Sequence, residues 1–204
     1  MARDLTPVVK RSRREGMAIH PKAHKIMVRR KAAPGVGPMG RRPRVSQYGI
    51  QLREKQKVKR LYGVLEKPFR RLVGEAERKG GITGESLLIL LERRLDNAVY
   101  RLHLAPSRQA ARQLVSHGHF LLNDRRVDVP SIRVKPGDEI KLRPKSATNS
   151  YFKQLKEDLP ADLQALSWLS LNRKTLGGKI TGMPTREEVD PGIKEQFIIE
   201  YYSR

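Results

Sequence analysis

The feature that most constrains the fold is an apolar stripe within "TGESLLILLERRLDNAVYRLHL", residues 83–104. Its members recur at steps of three and four, which is the spacing of one side of an α-helix. They are Leu87, Leu88, Leu91, Leu95, Ala98, Val99 and Leu102. A stripe of this kind predicts a helix buried in a hydrophobic core and not a cofactor site.

The apolar spacing changes in the next segment, "SRQAARQLVSHGHFLLNDRRV" at residues 107–127. Ser107 is a favourable N-cap and Gly118 a favourable C-terminal stop, so a short helix is predicted between them. The residues that follow alternate as in a strand, and Asn123-Asp124 is a pair that tolerates a hairpin turn. We therefore expect a helix followed by two short antiparallel strands.

Local patterns predict the remaining elements. They are helices over residues 46–64, 68–79 and 148–159, and a strand over residues 139–143 after a turn at Pro136-Gly137. A further hairpin is expected with Gly177-Gly178 at its tip. The last ten residues fit a strand, because they are β-branched and aromatic, or a helix that opens after Asp190-Pro191. The predicted class is α+β, mainly helical with a small module of short antiparallel strands.

The charge of the chain indicates the kind of partner. Lys and Arg number 43 against 21 Asp and Glu, a net charge of +22, which is far more than solubility requires. No stretch approaches the roughly 18 apolar residues of a spanning helix, and the basic N-terminus lacks the apolar core of a secretory signal. Without cysteine there is no disulfide and no thiolate ligand. We expect a cytoplasmic protein with a nucleic acid as partner, no membrane and no cofactor.

The positive charge is concentrated near the N-terminus. The first quarter of the chain has Asp4 and Glu15 as its only acidic residues, and the Gly/Pro cluster at residues 33–44 interrupts any long helix or strand. We predict a basic, extended arm over residues 1–45, which becomes ordered on its partner because it buries too little surface by itself. A solvated tail is the alternative.

The helix predicted over residues 46–64 has a densely charged side. Its cations are Arg53, Lys55, Lys57, Lys59 and Arg60. Glu54 is the one acidic residue in this helix, so intrahelical ion pairs stabilise it little. We therefore predict that these cations contact phosphates.

The short helix and hairpin after Ser107 present a second basic surface. No acidic residue lies between Ser107 and Asn123, and a helix N-terminus attracts anions. The RNA-binding candidates are Ser107, Arg108, Gln109, Arg112, Gln113, Ser116, His117, Gly118, His119, Asn123, Arg125 and Arg126. A solvated helix face is the alternative. Only 5% of residues are aromatic, so recognition of RNA shape through phosphates and 2′-hydroxyls is favoured over base stacking.

His117 and His119 also raise the possibility of a metal site. Two imidazoles are an incomplete ligand set and no third ligand lies at a standard spacing, so no metal is expected. We predict that both histidines donate to RNA or stack on it, with plain surface histidines as the alternative.

Several segments resemble a known family. The run "RRLDNAVYRLHLAPSRQAARQLVSHGHFLLNDRRVDVPSIRVKPGDEI" at residues 93–140 resembles the small RNA-binding module named after ribosomal protein four of the small subunit. Further segments resemble the bacterial form of that protein family: "SRREG" at residues 12–16, "YGIQLREKQKVKRLYGVLEKPF" at 48–69, "TGESLLILLERRLDN" at 83–97, "WLSL" at 168–171 and "IIEYYSR" at 198–204. Nearly the whole chain is covered.

The resemblance implies an organisation and a function. The basic extension is residues 1–45, the helical domain is residues 46–92 with about 180–204, and the RNA-binding module is residues 93–179. The family binds the large RNA of the small subunit at a multi-helix junction early in assembly. It also contacts ribosomal protein five at an interface linked to decoding accuracy, for which the candidates here are Tyr48, Ile198, Tyr201 and Tyr202. A place in the core is the alternative for Tyr201 and Tyr202. No homo-oligomer is expected.

The resemblance also assigns residues of the basic arm. Arg41, Arg42 and Arg44 match family residues at the channel through which messenger RNA enters, where they would grip and help unwind it. Arg13 and Arg14 of "SRREG" are added as RNA-binding candidates.

One departure from the family concerns zinc. Many members bind zinc through cysteines in the N-terminal extension, but this chain has Val9 and Ser12 at the first two cysteine positions. Valine provides no ligand atom, so the cysteine-free, non-zinc form is predicted.

Two other functions were compared with a structural ribosomal role. An RNA-modifying or RNA-charging enzyme would need a second domain with convergent acid, base or nucleophilic groups. The chain shows no phosphate-binding Gly-rich loop and no Gly-x-Ser-x-Gly elbow, so no catalytic residue is predicted. A free assembly or stress factor that binds ribosomal RNA transiently is the closer alternative.

Overall fold

The computed structural model describes residues 4–30, 32–35, 45–160 and 166–203. The chain forms two compact units, called here the helical unit (Met1–Leu88 with Val189–Arg204) and the mixed unit (Ile89–Glu188). Helices and one antiparallel sheet confirm the predicted α+β class. None of the helices within the described ranges is long and apolar enough to cross a membrane.

Ten helices and five strands make up the described part of the chain. The helices are α1 (Val8–Glu15), α2 (Pro21–Arg29), α3 (Gln47–Leu61), α4 (Glu66–Arg78), α5 (Thr83–Glu92), α6 (Leu95–Arg101), α7 (Arg108–Ser116), α8 (Pro144–Ala147), α9 (Ser150–Asp158) and α10 (Glu195–Tyr202). The strands are β1 (Phe120–Leu122), β2 (Arg125–Val127), β3 (Glu139–Leu142), β4 (Leu169–Asn172) and β5 (Gly177–Ile180).

In the helical unit, α3 begins at the predicted N-cap. Ser46 Oγ accepts a hydrogen bond from the Gly49 N–H over 3.2 Å, which satisfies one of the free donors at the helix start. The segment after Val189, whose type the sequence left open, contains the helix α10. It packs on α3, where Gln51 Nε2 donates to Glu200 Oε2 over 2.8 Å.

The structure differs from the predicted extended arm over residues 8–29, which form α1 and α2. Local caps favour these helices: Gly16 takes a left-handed φ of 68° after α1, and His20 Nδ1 accepts from the Lys22 N–H at the start of α2. The carboxylate of Glu15 is fully buried and accepts hydrogen bonds from Arg53 and Arg60 of α3. These tertiary contacts order a segment that its composition alone describes as a charged arm.

The mixed unit is built around a sheet with strand order β2-β1-β3-β5-β4, in which every neighbouring pair is antiparallel. Phe120 of β1 lies opposite Val127 of β2 and Leu142 of β3. The predicted apolar stripe is buried, and its Leu95, Ala98, Val99 and Leu102 pack in one core with the sheet, α7 and α9. The stripe therefore has the core role that its spacing predicts.

The one helix predicted over residues 83–104 is interrupted in the structure. Arg94 is extended and forms a β-bridge with Arg133. On either side, the Leu95 N–H donates to the Ile132 carbonyl over 2.8 Å and the Val134 N–H donates to the Arg93 carbonyl over 2.9 Å. This pairing replaces helical hydrogen bonds between α5 and α6, and its partner segment is distant in sequence.

Gly177 and Gly178 lie in β5 and not at a hairpin tip, because the turn occupies residues 173–176. A Cβ on Gly177 would lie 2.4 Å from the Ile140 carbonyl oxygen, and a Cβ on Gly178 would lie 2.5 Å from Leu102 Cδ2. The close approach of β3 and of Leu102, just after α6, therefore requires these glycines, where the sequence pattern suggested a turn.

Candidate nucleic-acid interface

The start of α7 is fixed by its predicted cap. Ser107 is buried, and its Oγ accepts from the Ala110 N–H over 3.2 Å. Ala111 and Val115 face the core, whereas the opposite side of the helix exposes its polar residues. The exposed ones are Gln109, Gln113 and Ser116, followed by His117. Burial of Ala111 and Val115 therefore leaves the predicted RNA-binding side of α7 facing outward, while buried Ser107 caps the helix.

Polar side chains of α6 contact the guanidinium groups of Arg108 and Arg112. Arg108 Nε donates to Asn97 Oδ1 over 2.8 Å, and its guanidinium lies 4.6 Å from the centre of the Tyr100 ring. Arg112 Nη1 lies 3.8 Å from Asp96 Oδ2. The exposed fractions of the two arginine side chains are 15% and 23%. Most of each side chain is therefore packed, and a small part remains at the surface.

The groups that hold these arginines form a buried network. Arg101 makes two hydrogen bonds to the Glu92 carboxylate, at 3.0 and 2.8 Å, and Arg94 makes two to Asp96, at 3.1 and 2.8 Å. Asn97 Nδ2 also donates to Glu92 Oε2 over 2.7 Å. Arg108 and Arg112 reach the same acids, so within the described residues Glu92 contacts Arg101 and Arg108, and Asp96 contacts Arg94 and Arg112.

Sequence reasoning missed Glu92, Asp96 and Asn97. It treated residues 83–104 only as an apolar stripe, although Glu92, Asp96 and Asn97 lie within it. Polar residues inside an otherwise apolar run were the available signal, because buried carboxylates need cationic partners.

The end of α7 brings Gly118 and Arg126 together. Gly118 has a left-handed φ of 69°, as predicted for a helix stop. A Cβ on Gly118 would lie 2.7 Å from Arg126 Nε, so the guanidinium lies directly across the glycine. Arg125 and Arg126 are both exposed on β2, at the edge of the sheet. Gly118 is therefore the position at which the end of α7 contacts Arg126 of the hairpin.

The hairpin turn uses both residues that the sequence indicated. Asn123 and Asp124 have φ of 50° and 62°. Asn123 Oδ1 accepts from the Glu139 N–H and its Nδ2 donates to Asp138, each over 2.8 Å. Asn123 is exposed, but its amide group already stabilises the turn, so its first role is structural.

Comparison with known proteins decides the family. Residues 3–92 match the family model described as the ribosomal protein S4/S9 N-terminal domain, and residues 93–140 match the S4 domain.

The chain belongs to the ribosomal protein S4 family.

Full-length relatives support the same assignment. The chain is 51% identical to small ribosomal subunit protein uS4 of Roseiflexus castenholzii, 50% to that of Clostridioides difficile and 46% to that of Chlorobium phaeovibrioides. Each alignment covers 100% of both chains. The resemblance given by the quoted segments is confirmed, and the two family matches meet where α5 ends.

The histidines of this S4-family chain differ in exposure. His119 Nδ1 lies 3.0 Å from Ser146 Oγ and its ring packs edge-on against Phe152, with centroids 5.5 Å apart. Burial, together with the charges of His117 and Arg143, lowers the pKa of His119. His117 is exposed beside it. Over the described ranges no group of three or more His, Cys, Asp or Glu residues is arranged to hold a metal ion.

The charged side of α3 is paired with carboxylates of the helical unit. Arg53 and Arg60 contact Glu15, Lys57 contacts Glu54 at 2.7 Å, and Lys55 and Lys59 each contact Glu66 at 2.9 Å. Sequence reasoning counted only Glu54, because Glu15 and Glu66 come from α1 and α4. Lys55 is buried and therefore offers no surface to RNA.

The residues of the basic arm that are predicted to bind RNA differ in their exposure. Arg14 is exposed, whereas Arg13 is half-buried and its Nε donates to the Ala32 carbonyl over 3.0 Å. Arg41, Arg42 and Arg44 lie outside the described residues.

The interface candidates of α10 form an aromatic cluster with α3. The Tyr48 and Tyr201 rings lie 5.6 Å apart, and Lys55 Nζ lies 4.3 Å above Tyr201. Tyr48 is 48% exposed, whereas Ile198 is fully buried and so offers no surface to a partner. The Tyr202 hydroxyl donates to Glu66 Oε1 over 2.7 Å. Burial and this hydrogen bond raise the pKa of Tyr202.

Proposed function

We propose that this chain is a structural component of the small ribosomal subunit in the cytoplasm. It acts without catalysis and binds the large RNA of that subunit at a multi-helix junction early in assembly. The observation that carries the proposal is the exposed side of α7, which continues into the exposed arginines of β2, with Arg108 and Arg112 bound by a buried polar network. The full-length match to proteins named for the small subunit supports it.

The proposed RNA contacts follow from what is exposed. Arg125, Arg126 and the outer edges of Arg108 and Arg112 would neutralise phosphates, and Gln109, Gln113, Ser116 and His117 would hydrogen-bond to phosphates and 2′-hydroxyls. Asn97 and Asp96 already fix the orientation of the two α7 arginines. Less side-chain entropy is therefore lost on binding than for freely rotating cations.

We propose that the segments have the separate roles that the family resemblance implies. Residues 93–179 form the RNA-binding module, residues 46–92 with about 180–204 form the helical framework, and residues 1–45 form the basic extension. Arg41, Arg42 and Arg44 would line the channel through which messenger RNA enters. Exposed Tyr48, with Tyr201, would contact ribosomal protein five and so influence decoding accuracy.

The test is the amount of the chain in purified small subunits of its source organism after a high-salt wash. Quantitative protein analysis is expected to find about one copy per subunit. Recovery well below one copy would instead identify a free assembly or stress factor.

A further inference from the structure

Helix α4 of the helical unit has a cationic side that lies outside the surfaces predicted to bind RNA. Lys67, Arg70 and Arg71 are exposed and line a shallow depression with Glu66. They are spaced by three or four residues and so point to one side of the helix. Arg78, also exposed, continues this side two turns further on, and its Nε donates to the Gly74 carbonyl over 3.0 Å.

The opposite side of α4 is entirely apolar and packed. Phe69, Leu72, Val73 and Ala76 are buried there. The exposed side therefore lacks the apolar residues that insert into a membrane interface. A charged surface without such residues fits a partner that is itself densely charged and hydrated.

The α4 cations differ from those of α3 in their partners. Within the described residues no carboxylate forms an ion pair with Lys67, Arg70 or Arg71, whereas the α3 cations contact Glu15, Glu54 or Glu66. Glu66, the acid at the edge of the depression, is already bound by Lys55, Lys59 and the Tyr202 hydroxyl. Glu75 and the exposed Glu77 also lie on this side of α4, but Lys67, Arg70, Arg71 and Arg78 outnumber them, so the surface as a whole is electropositive.

We propose that Lys67, Arg70, Arg71 and Arg78 form a second RNA-binding surface, on α4, that takes the phosphate backbone without regard to base sequence. This inference rests on the proposed function, because it assigns a further contact with the same class of ligand. Arg side chains suit it, since a guanidinium can donate two parallel hydrogen bonds to one phosphate.

The experiment compares the full-length protein with Lys67→Gln/Arg70→Gln/Arg71→Gln. The control is Lys145→Gln/Lys153→Gln/Lys156→Gln, which removes the same charge from exposed positions of α8 and α9. Affinity for small-subunit ribosomal RNA is measured over a range of salt concentrations. Affinity falls as salt rises, and the α4 variant is expected to make this dependence shallower. The slope of log affinity against log salt should decrease in magnitude by about two to three units, at roughly 0.7–0.9 per phosphate contact. The control is expected to keep the wild-type slope.

A charge-conserving variant separates charge from folding. Lys67→Arg/Arg70→Lys/Arg71→Lys is expected to have the wild-type salt slope. Thermal unfolding followed by circular dichroism should give the same melting temperature for wild type and every variant. If the α4 variant and its control have equal slopes, the inference is overturned. A separate result would contradict the proposed function. In that case wild-type protein would bind an unrelated RNA of equal length as tightly as the ribosomal RNA, independently of the salt slope of the α4 variant.

Discussion

The guanidinium of Arg126 lies across Gly118, with Nε 2.7 Å from the point that a Cβ would occupy. One glycine thus meets two requirements, a left-handed backbone and space for a side chain of the neighbouring hairpin. Arg126 is exposed on the proposed RNA surface. Its position there depends on Gly118, because a side chain on that residue would occupy the space of the guanidinium.

Gly118→Ala is expected to impair both folding and RNA binding. The left-handed φ costs a β-carbon about 1–2 kcal/mol of unfolding free energy, and the methyl group displaces Arg126. Gly137→Ala is the matched control, because Gly137 has φ 92° and a Cβ there meets nothing within 4 Å. Urea unfolding should show a loss in both variants, whereas RNA titration should show weaker binding only for Gly118→Ala. Equal RNA affinities would mean that Arg126 does not depend on the glycine.

Glu92→Gln is expected to reduce the free energy of unfolding by about 3 kcal/mol. The side chain is 1% exposed and accepts from Arg101 and Asn97, and removal of one member of a buried pair leaves the other charge uncompensated. Chemical denaturation monitored by Trp168 fluorescence would measure the change, since Trp168 is buried in the core of the mixed unit. Glu187→Gln, at an exposed position, should leave the denaturation curve nearly unchanged. A similarly small effect at Glu92 would contradict the role given to the network.

Arg108→Ala/Arg112→Ala is expected to lower the salt slope of RNA binding by about two units, roughly one per lost phosphate contact. It should also reduce stability by about 1–3 kcal/mol, because Asn97 and Asp96 lose charged partners in a buried setting. Arg125→Gln/Arg126→Gln should lower the slope by a similar amount and leave stability nearly unchanged, since both side chains are exposed. An unchanged slope in either double variant would mean that its arginines do not contact phosphate.

The stability of the helical unit is expected to depend on the charge of Glu66. Partial burial opposes this charge, but hydrogen bonds from Lys55, Lys59 and Tyr202 outweigh it and lower the pKa from 4.5 to about 2. A lowered pKa means that the unfolded chain binds the proton more readily. The contribution is therefore complete above pH 4.5 and is lost as pH falls toward 2.

The comparison of wild type with Glu66→Gln by circular dichroism tests this dependence. The difference in unfolding free energy should shrink as pH falls from 4.5 to 2. A difference that stays constant over that range would show that the ion pairs of Glu66 contribute nothing that depends on its charge.

Local sequence was sufficient for the elements whose determinants lie within a few residues. Ser107 caps α7, Gly118 ends it and Asn123-Asp124 turns the hairpin, and in each case the residue type matches a backbone requirement at its own position. The exposed side of the candidate site was predictable for the same reason, since the helical spacing of Gln109 and Gln113 places them away from the buried Ala111 and Val115.

Determinants that lie far away in sequence were not predictable in this way. The interruption at Arg94 depends on pairing with Arg133, and the neutralisation of the α3 cations depends on Glu15 and Glu66. Gly177-Gly178 has the composition of a turn, but the space around it is limited by Leu102 and Ile140 from other elements. Each difference arose where a tertiary partner outweighed a local preference.

The interleaving of the two units along the chain has a consequence for synthesis. Helix α10 (residues 195–202) and Lys194 before it are translated after every residue of the mixed unit, yet they supply partners of Gln51 and Glu54 in α3. Until then the nascent chain has Gln51 without Glu200, and Glu54 without the Lys194 N–H. The mixed unit is therefore the first whose residues are all available, and the helical unit is completed last although it begins first.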